Sequence, residues 1–387
     1  MRIEYRLIAA CLVLVLVGMA TGEEAAAGIE RAAALESLEI GGRLMFDAAA
    51  YDSDDVDLSS GTEVRRGRLY VKGAIDEDWF FKGQYEFTAS GSSSLYDFYI
   101  GYGGLGEATT LYVGQFIEHG SLEDTSSSKY ITFMERALPV LAFAPASRRI
   151  GVGIGTHGDA WYAGAGVYGE NSGVDESQKD GVGASARVSG APLRGDRKAL
   201  HLGAWGAYRQ PRGDDLGQVR ARPESHVADT RLIDTGVISN LNAQVSAGVE
   251  IAGVAGPFSV QAEFMAAELD RDGFDNESYS GWYAYASWIL TGETRPYDPQ
   301  SGTFGRLKPR RPAGQGGAGA WELAARYSTL DLDDGIRGGT EDNVTVGVNW
   351  YVNAYTRFML NYVKASAEND EGETDVDIVQ VRAQLDF

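Results

Sequence analysis

The chain is poor in the residues that carry most chemistry. It has one cysteine and four histidines among 387 residues. Cys11 lies in the apolar run Leu7–Val17, which follows Arg2 and Arg6 and precedes Gly18, Met19 and Ala20. This pattern predicts a secretory signal over residues 1–20, too short for a spanning helix, with cleavage near Ala20 or as late as Ala27. Cys11 leaves with the signal, so the remaining chain has no disulfide, no cysteine-based zinc site and no thiol chemistry. His119, His157, His201 and His226 are scattered without metal-ligand spacing, and no nucleophile elbow or phosphate-cradling glycine loop follows a strand. Gly151–Gly155 alternates with Val152 and Ile154 as a strand does and opens no helix, which discounts a dinucleotide fingerprint. These absences predict no enzyme, no metal site and no cofactor. Beyond the signal, no segment holds the roughly 20 apolar residues that a spanning helix needs, in line with a mean hydropathy of −0.23.

What the chain has in quantity is alternation. After an alanine-rich stretch at 21–37, short and with helical character, most of the sequence from 38 to 387 reads with a period of two, the signature of strands with one polar face. Ile40, Leu44 and Phe46 oppose Glu39, Arg43 and Asp47, and Trp79, Phe81, Tyr85 and Phe87 oppose Lys82, Gln84, Glu86 and Thr88. Sixteen such runs can be counted, near 38–50, 63–74, 79–89, 95–103, 109–116, 149–156, 159–169, 181–189, 199–209, 241–253, 257–268, 280–291, 320–329, 343–352, 354–365 and 376–387. Most have about the 9–11 residues with which a tilted strand crosses the hydrocarbon layer. Short connections alternate with long ones, as periplasmic turns alternate with external loops. Two connections break the pattern: 90–94 is short for an external loop, and 292–319 is long for a periplasmic one.

No repeat of about 40 residues supports a propeller, and an aromatic parity on nearly every strand favours lipid over water outside. The expectation is an all-β fold, a 16-stranded antiparallel transmembrane β-barrel spanning 38–387, whose third external loop folds inward. That loop contains Ser121–Pro139, which gathers Ser126, Ser127, Ser128, Lys129 and Arg136 among acidic residues.

The formal net charge is −21, and the acid is concentrated between the runs, at Asp52–Asp57, Asp270–Glu277, Asp331–Asp334 and Glu368–Asp377. These stretches read either as solvated loops or as carboxylates binding divalent cations shared with lipopolysaccharide phosphates. An acidic total is compatible with a locally basic interior, and no nucleic-acid partner is expected.

Seven ordered motifs, GGRLMFDAA (41–49), RRGRLYVKG (65–73), SSSKYITFMERALP (126–139), RPE (222–224), SWILTGETRPY (287–297), AWELAARYSTLDLDD (320–334) and NWYVNAYTRFMLNYV (349–363), resemble the phosphate-selective porin O/P family of Gram-negative bacteria. The resemblance implies an outer-membrane porin, a homotrimer among outer-membrane lipids and lipopolysaccharide. It also implies passive diffusion of small inorganic anions, phosphate or polyphosphate, with basic residues along the path. Arginine suits that path because its planar fork donates two hydrogen bonds to phosphate and keeps its charge.

By strand parity Arg66, Arg68 and Lys72 share the inner face of one strand, and Arg43 that of another. By resemblance Ser126–Ser128, Lys129 and Arg136 contact the anion at the constriction. Arg148 and Arg149 enter the following strand. Arg212, Arg220, Arg222, His226 and Arg231 offer a basic vestibule at 210–240, and Arg306, Lys308, Arg310 and Arg311 form a second basic run. Each has a plainer reading: polar lining that balances Glu39, Asp47 and Glu86, an ordinary serine-rich turn, a solvated loop, or an ion pair of Glu135 with a neighbouring arginine. A porin of the same build with other selectivity, or an outer-membrane adhesin, are the competing functions.

Overall fold

The structure, a computed structural model, describes residues 35–88, 95–144, 148–173, 181–211, 217–334 and 338–387. The expected signal, nearly all of the segment 21–37, Arg212 and the loop at 90–94 lie outside the described residues.

The barrel strands are β1 (Ser37–Asp52), β2 (Gly61–Ala74), β3 (Trp79–Glu86), β4 (Leu95–Tyr102), β5 (Thr109–Ile117), β6 (Arg148–His157), β7 (Trp161–Tyr168), β8 (Val182–Gly195), β9 (Lys198–Gln210), β10 (Leu241–Ala255), β11 (Phe258–Arg271), β12 (Glu277–Ile289), β15 (Ala320–Asp331), β16 (Thr340–Tyr351), β17 (Thr356–Asn369) and β18 (Gly372–Asp386). A small hairpin, β13 (Tyr297–Asp298) and β14 (Thr303–Phe304), lies between β12 and β15. The sixteen longer strands pair antiparallel with their chain neighbours, and β1 pairs with β18, so the sheet closes without an edge. At the seam Arg43 stands opposite Asp386. There Gly42 N–H donates to the terminal Phe387 carbonyl at 2.9 Å. The sixteen runs of alternation and the sixteen strands coincide, with ends differing by a few residues.

Closure is what the alternation demands. The outward parity is apolar, with Val245, Val249 and Ile251 about half exposed along β10 and Phe258, Val260 and Phe264 along β11. In water such a belt drives aggregation; in a bilayer it meets a matching solvent. Aromatic rings gather at the short-turn end of the strands, where Trp321 stacks on Trp350 at 5.5 Å and Trp350 on Phe358 at 5.7 Å. That is the girdle expected at a membrane interface.

The lumen is partly filled. The β5–β6 connection, the third external loop, turns inward and carries two short helices, α1 (Leu122–Thr125) and α2 (Leu138–Phe143). Ser121 caps α1 by accepting from Asp124 N–H at 3.1 Å, and Pro139 opens α2, where its missing N–H costs nothing. The β9–β10 connection also folds in. Phe133, Leu138 and Phe143 of the third loop pack with Val219, Ile233 and Ile238 of this second loop and with Met265, Leu330, Val363 and Ile378 of the wall. An apolar core therefore sits inside the upper half of the barrel. Alternation alone assigns that face a polar lining.

The long 290–319 segment stays at the end of the short turns. Leu290 N–H donates to the Trp321 carbonyl at 2.8 Å, and Ala313 N–H donates to the Val352 carbonyl at 2.8 Å. Its β13–β14 hairpin rises into the lumen, and Phe304 packs against Leu122 of α1, Ala252 and Val254. The lumen is thus narrowed from both ends.

Candidate functional site

The third loop is fixed by a cluster of charges around Glu135. Between Met45 and Phe46 the register of β1 against β2 shifts, Met45 pairing Arg66 and Phe46 pairing Val64. Arg65 is the extra residue of this bulge, which lets both Arg65 and Arg66 face inward. Arg65 Nε and one of its terminal nitrogens donate to the two Glu135 oxygens at 2.8 and 2.9 Å. Arg382 of β18 donates to Glu135 at 2.7 Å and to both oxygens of Asp47 at 2.7 and 2.6 Å. These guanidinium groups hold the Glu135 carboxyl well below its ordinary range against the opposing effect of burial. Arg66 is 3.9 Å from Glu135, and its Nε has no partner. Three arginines face two carboxylates here, leaving one surplus positive charge.

Arg136 staples the loop to itself. It donates to the carbonyls of Glu123, Asp124 and Ser126 at 3.1, 2.9 and 3.2 Å and lies 3.6 Å from the Asp124 carboxylate. Its donors serve the backbone that presents the serines. Glu263 of β11 accepts from the N–H groups of Leu122 and Glu123 at 3.0 and 2.9 Å, anchoring the first turn of α1 to the wall. At the other end, Glu224 of the β9–β10 loop, fully buried and at φ 51°, accepts from Leu138 N–H, Arg326 and Thr345 at 3.3, 2.5 and 2.7 Å. A non-glycine residue at positive φ is held there by such over-determination.

Where the loop bends back, the charges lose their partners. Arg43 donates to Ser128 Oγ at 2.5 Å and has no ion-pair partner among the described residues. Lys129 likewise has none; its ammonium lies 5.9 Å from the Tyr70 ring centre and 5.4 Å from that of Tyr130. Burial, with the neighbouring Arg43 next, pushes the Lys129 ammonium down to about 8. Ser126 Oγ is buried with no partner, and Ser127 Oγ accepts from Lys129 N–H at 3.4 Å. The four residues of this turn thus carry one surplus ammonium and one idle hydroxyl beside a surplus arginine.

The wall next to it is basic but better balanced. Arg68 donates to Glu86 at 2.5 Å, and its guanidinium lies 3.8 Å over the Tyr96 ring, which Arg148 also covers at 4.7 Å. Arg148 donates to Asp97 at 2.6 Å, and Lys82 reaches the same carboxylate at 2.5 Å. Four cations, Arg68, Arg148, Lys82 and Arg43, therefore surround two carboxylates, Glu86 and Asp97.

The remaining candidates lie apart. Lys72 pairs with Glu39 at 3.0 Å and is half-exposed. Arg149 meets Glu118 at 2.7 Å, Arg222 meets Asp229 at 2.5 Å, and Arg220 is 3.6 Å from Asp234. The two loop arginines are thus neutralised within their own loop.

Sequence parity missed three contributors. Arg65 requires the bulge to face inward. Arg295 and Arg357 were embedded in motifs without being singled out. Arg295 stacks 3.7 Å over Phe304, and Arg357 donates to the Ile131 carbonyl at 2.9 Å. Together with Lys129, Arg306, Glu322 and Asp386 they line a narrow cavity of about 20 Å³, room for little more than a water molecule. The inward parity of Arg357 on β17 and the repeated arginines of the 290–319 segment were the available signal.

The phosphate-selective porin O and P family matches residues 38–387. Porin O of Pseudomonas aeruginosa is 28% identical over 395 residues, covering 91% of this chain and 88% of that protein. An uncharacterised protein of Caulobacter vibrioides is 31% identical, covering 91% of this chain and 74% of that one. An anion-selective porin from Comamonas acidovorans shares the fold at 12% identity, with a TM-score of 0.59 over 91% of this chain and 99% of that chain. A closed sixteen-strand barrel with a lipid-facing belt, an infolded third loop and a match running from the first strand to the last residue leave one assignment. The chain belongs to the phosphate-selective porin O and P family and is a porin of the Gram-negative outer membrane.

Proposed function

We propose that this porin carries small inorganic anions, phosphate or polyphosphate, by passive diffusion, with Lys129, Arg43 and the Ser126–Ser128 hydroxyls as the contact point. The observation that carries the reading is the unpaired charge there: Arg43, which donates to Ser128, and Lys129, beside the rings of Tyr70 and Tyr130, have no carboxylate within 4 Å among the described residues, Asp386 standing farther off. A buried cation without a counter-ion is costly. A passing anion relieves that cost, while fixed dipoles and one or two charges bind it weakly enough for release. Arg66, Arg68 and Arg148 extend the positive field along the wall, and Arg136 keeps the serines in place. The assembly proposed is a homotrimer among outer-membrane lipids and lipopolysaccharide; OmpT of Vibrio cholerae, similar in fold at a TM-score of 0.55, was determined in a trimer form.

A second reading, a porin of looser selectivity, is favoured by the carboxylates Glu86, Asp97 and Asp386 standing among the lumen cations. Single-channel recording in planar bilayers separates the two. Chloride current blocked by millimolar phosphate supports the phosphate reading. Cation-selective current that phosphate leaves unblocked overturns it.

A further inference from the structure

The inner face of a water-filled barrel is expected to be polar, yet one stretch of this wall is aromatic. Phe80, Tyr99, Tyr112, Phe116 and Tyr168 share the inward parity of Lys82 and Asp97 on β3, β4, β5 and β7, opposite the lipid-facing Phe98, Val113 and Val167. Their rings touch in succession. Centre distances are 6.4 Å for Phe80–Tyr99, 5.4 Å for Tyr99–Tyr112, 5.6 Å for Tyr112–Phe116 and 5.5 Å for Phe116–Tyr168. The neighbouring strands make room for them. A Cβ on Gly101 would come within 2.1 Å of the Phe80 ring, and one on Gly153 within 2.8 Å of Phe116. The track runs from the short-turn end of β3 to the root of the third loop.

Beside it lies an open cavity of about 360 Å³, far larger than the one at Lys129, lined by Tyr99, Tyr112, Phe116 and Tyr162 with Lys82 and Arg187 among its walls beside the carboxylates of Asp97 and Glu118. His119 also lines it. That residue is 8% exposed, its Nδ1 is 3.0 Å from the Tyr162 hydroxyl, and its Nε2 has no partner. Burial holds the ring neutral, down to about 4. With the Tyr162 hydroxyl donating to Nδ1, Nε2 carries the proton and is a buried donor without a partner beside the cavity.

A hydrated inorganic anion gains nothing from ring faces, whose quadrupole presents negative charge. We propose that this track binds organic anions with a flat apolar body, the chemistry shared by aryl phosphates and aromatic carboxylates, as a second class of permeant beside inorganic anions. The proposal rests on the anion-porin reading and assigns the parts of the solute separately. The rings of Tyr99, Tyr112 and Phe116 stack on its body, while its charged head meets Lys82, one of the four cations that surround the two carboxylates Glu86 and Asp97. Passage along touching rings lets the body slide from one partner to the next without an apolar surface being exposed between them.

The test compares two probes with the same head, phenyl phosphate and methyl phosphate, as blockers of chloride current through the purified porin in planar bilayers. The expected result is a dwell time for phenyl phosphate about two- to tenfold longer than for methyl phosphate, the worth of one good aromatic contact. Tyr112→Leu should bring the two dwell times together, whereas Tyr112→Phe should keep them apart; insertion as a stable conducting channel, whatever its conductance, shows that each variant has folded. Benzoate should outlast acetate in the same way, which shows that the ring and not the phosphoester is recognised. Equal dwell times for phenyl and methyl phosphate in the unaltered porin overturn the proposal. So does a phenyl advantage that survives Tyr112→Leu in a conducting channel. Block by inorganic phosphate is read in the same recordings, so loss of the aryl preference alone is distinguishable from failure of the anion-porin reading.

Discussion

Around the lumen wall Arg382, Arg326 and Arg187 are each held by carboxylates, Arg382 by Asp47 and Glu135, Arg326 by Glu224 and Arg187 by Glu250 at 2.8 Å. Near the β1–β18 seam, Arg43 and Lys129 have no carboxylate within 4 Å among the described residues; Arg43 donates to a serine hydroxyl and Lys129 lies by two aromatic rings. Arg43 is buried as those arginines are and Lys129 is half-buried; the difference lies in the company. A buried cation with matched acids is a rivet, because removing either partner strands a charge. A buried cation without acids is a vacancy for a mobile anion. Arg382 and Arg326 hold the two infolded loops against β15–β18, Arg187 ties β8 to β10 and to the β13–β14 hairpin, and the unpaired set lies where the third loop turns back across the lumen.

The largest expected effect tests the rivets. Glu135→Ala strands Arg65, leaves Arg382 with Asp47 alone, and should cost about 3–5 kcal/mol of stability, read as a lower thermal unfolding midpoint in detergent. Arg43→Ala should leave that midpoint little changed and instead shorten phosphate block. Removing Lys129 or Arg43 should weaken block by about tenfold to a hundredfold, the usual worth of a charged hydrogen bond. A destabilised Arg43→Ala with undiminished block would move Arg43 into the riveting class.

Glu224→Gln should sit between the classes. It keeps the contact to Leu138 N–H but weakens that to Arg326, which should raise open-channel noise as α2 loosens, with about 1–3 kcal/mol lost. Quiet channels would show that the apolar core alone positions the loop.

Titration offers a gentler separation. The Lys129 ammonium lies near 8, surrounded by Arg43, Asp386, Arg306 and Lys82, with desolvation the leading cause. A lowered cation pKa means that charge is present below and lost above it, so anion preference in potassium chloride should fall between pH 7 and 9. Lys129→Arg should remove that slope, since a guanidinium keeps its proton throughout. The smallest effect belongs to Lys72→Ala. Its pair with Glu39 is half-exposed and worth about 0–1 kcal/mol, so neither stability nor block should move measurably.

The strands were legible because a barrel wall has lipid outside and a different medium inside, and that contrast prints a period of two on every segment. Parity placed Arg43, Arg66 and Arg68 on the inner face, and the even count of runs identified which connection is the third external loop. Parity failed at Arg65, since a one-residue bulge flips the face and leaves no mark in composition. It also failed for the inward apolar residues Met265, Leu330, Val363 and Ile378, because both faces of those strands are apolar once loops fill the lumen. The partners of Glu135 were out of reach as well. Sequence proximity pointed to Arg136, Arg148 and Arg149, whereas closure of the barrel brings Arg382 to it from 247 residues away.

From the sequence alone came the number of strands, their facing, the inward loop and the family, all properties repeated locally or carried by contiguous motifs. The tertiary structure decided which charges are spent on one another and which remain free. That division depends on distances between segments far apart in the chain, set by barrel shear and by two loops and a lower segment meeting inside one lumen. Arg43 and Arg382 stand alike in the sequence as inward arginines on strands. Only the carboxylates within 4 Å of one and absent from the other make the first a candidate for the anion and the second part of the frame.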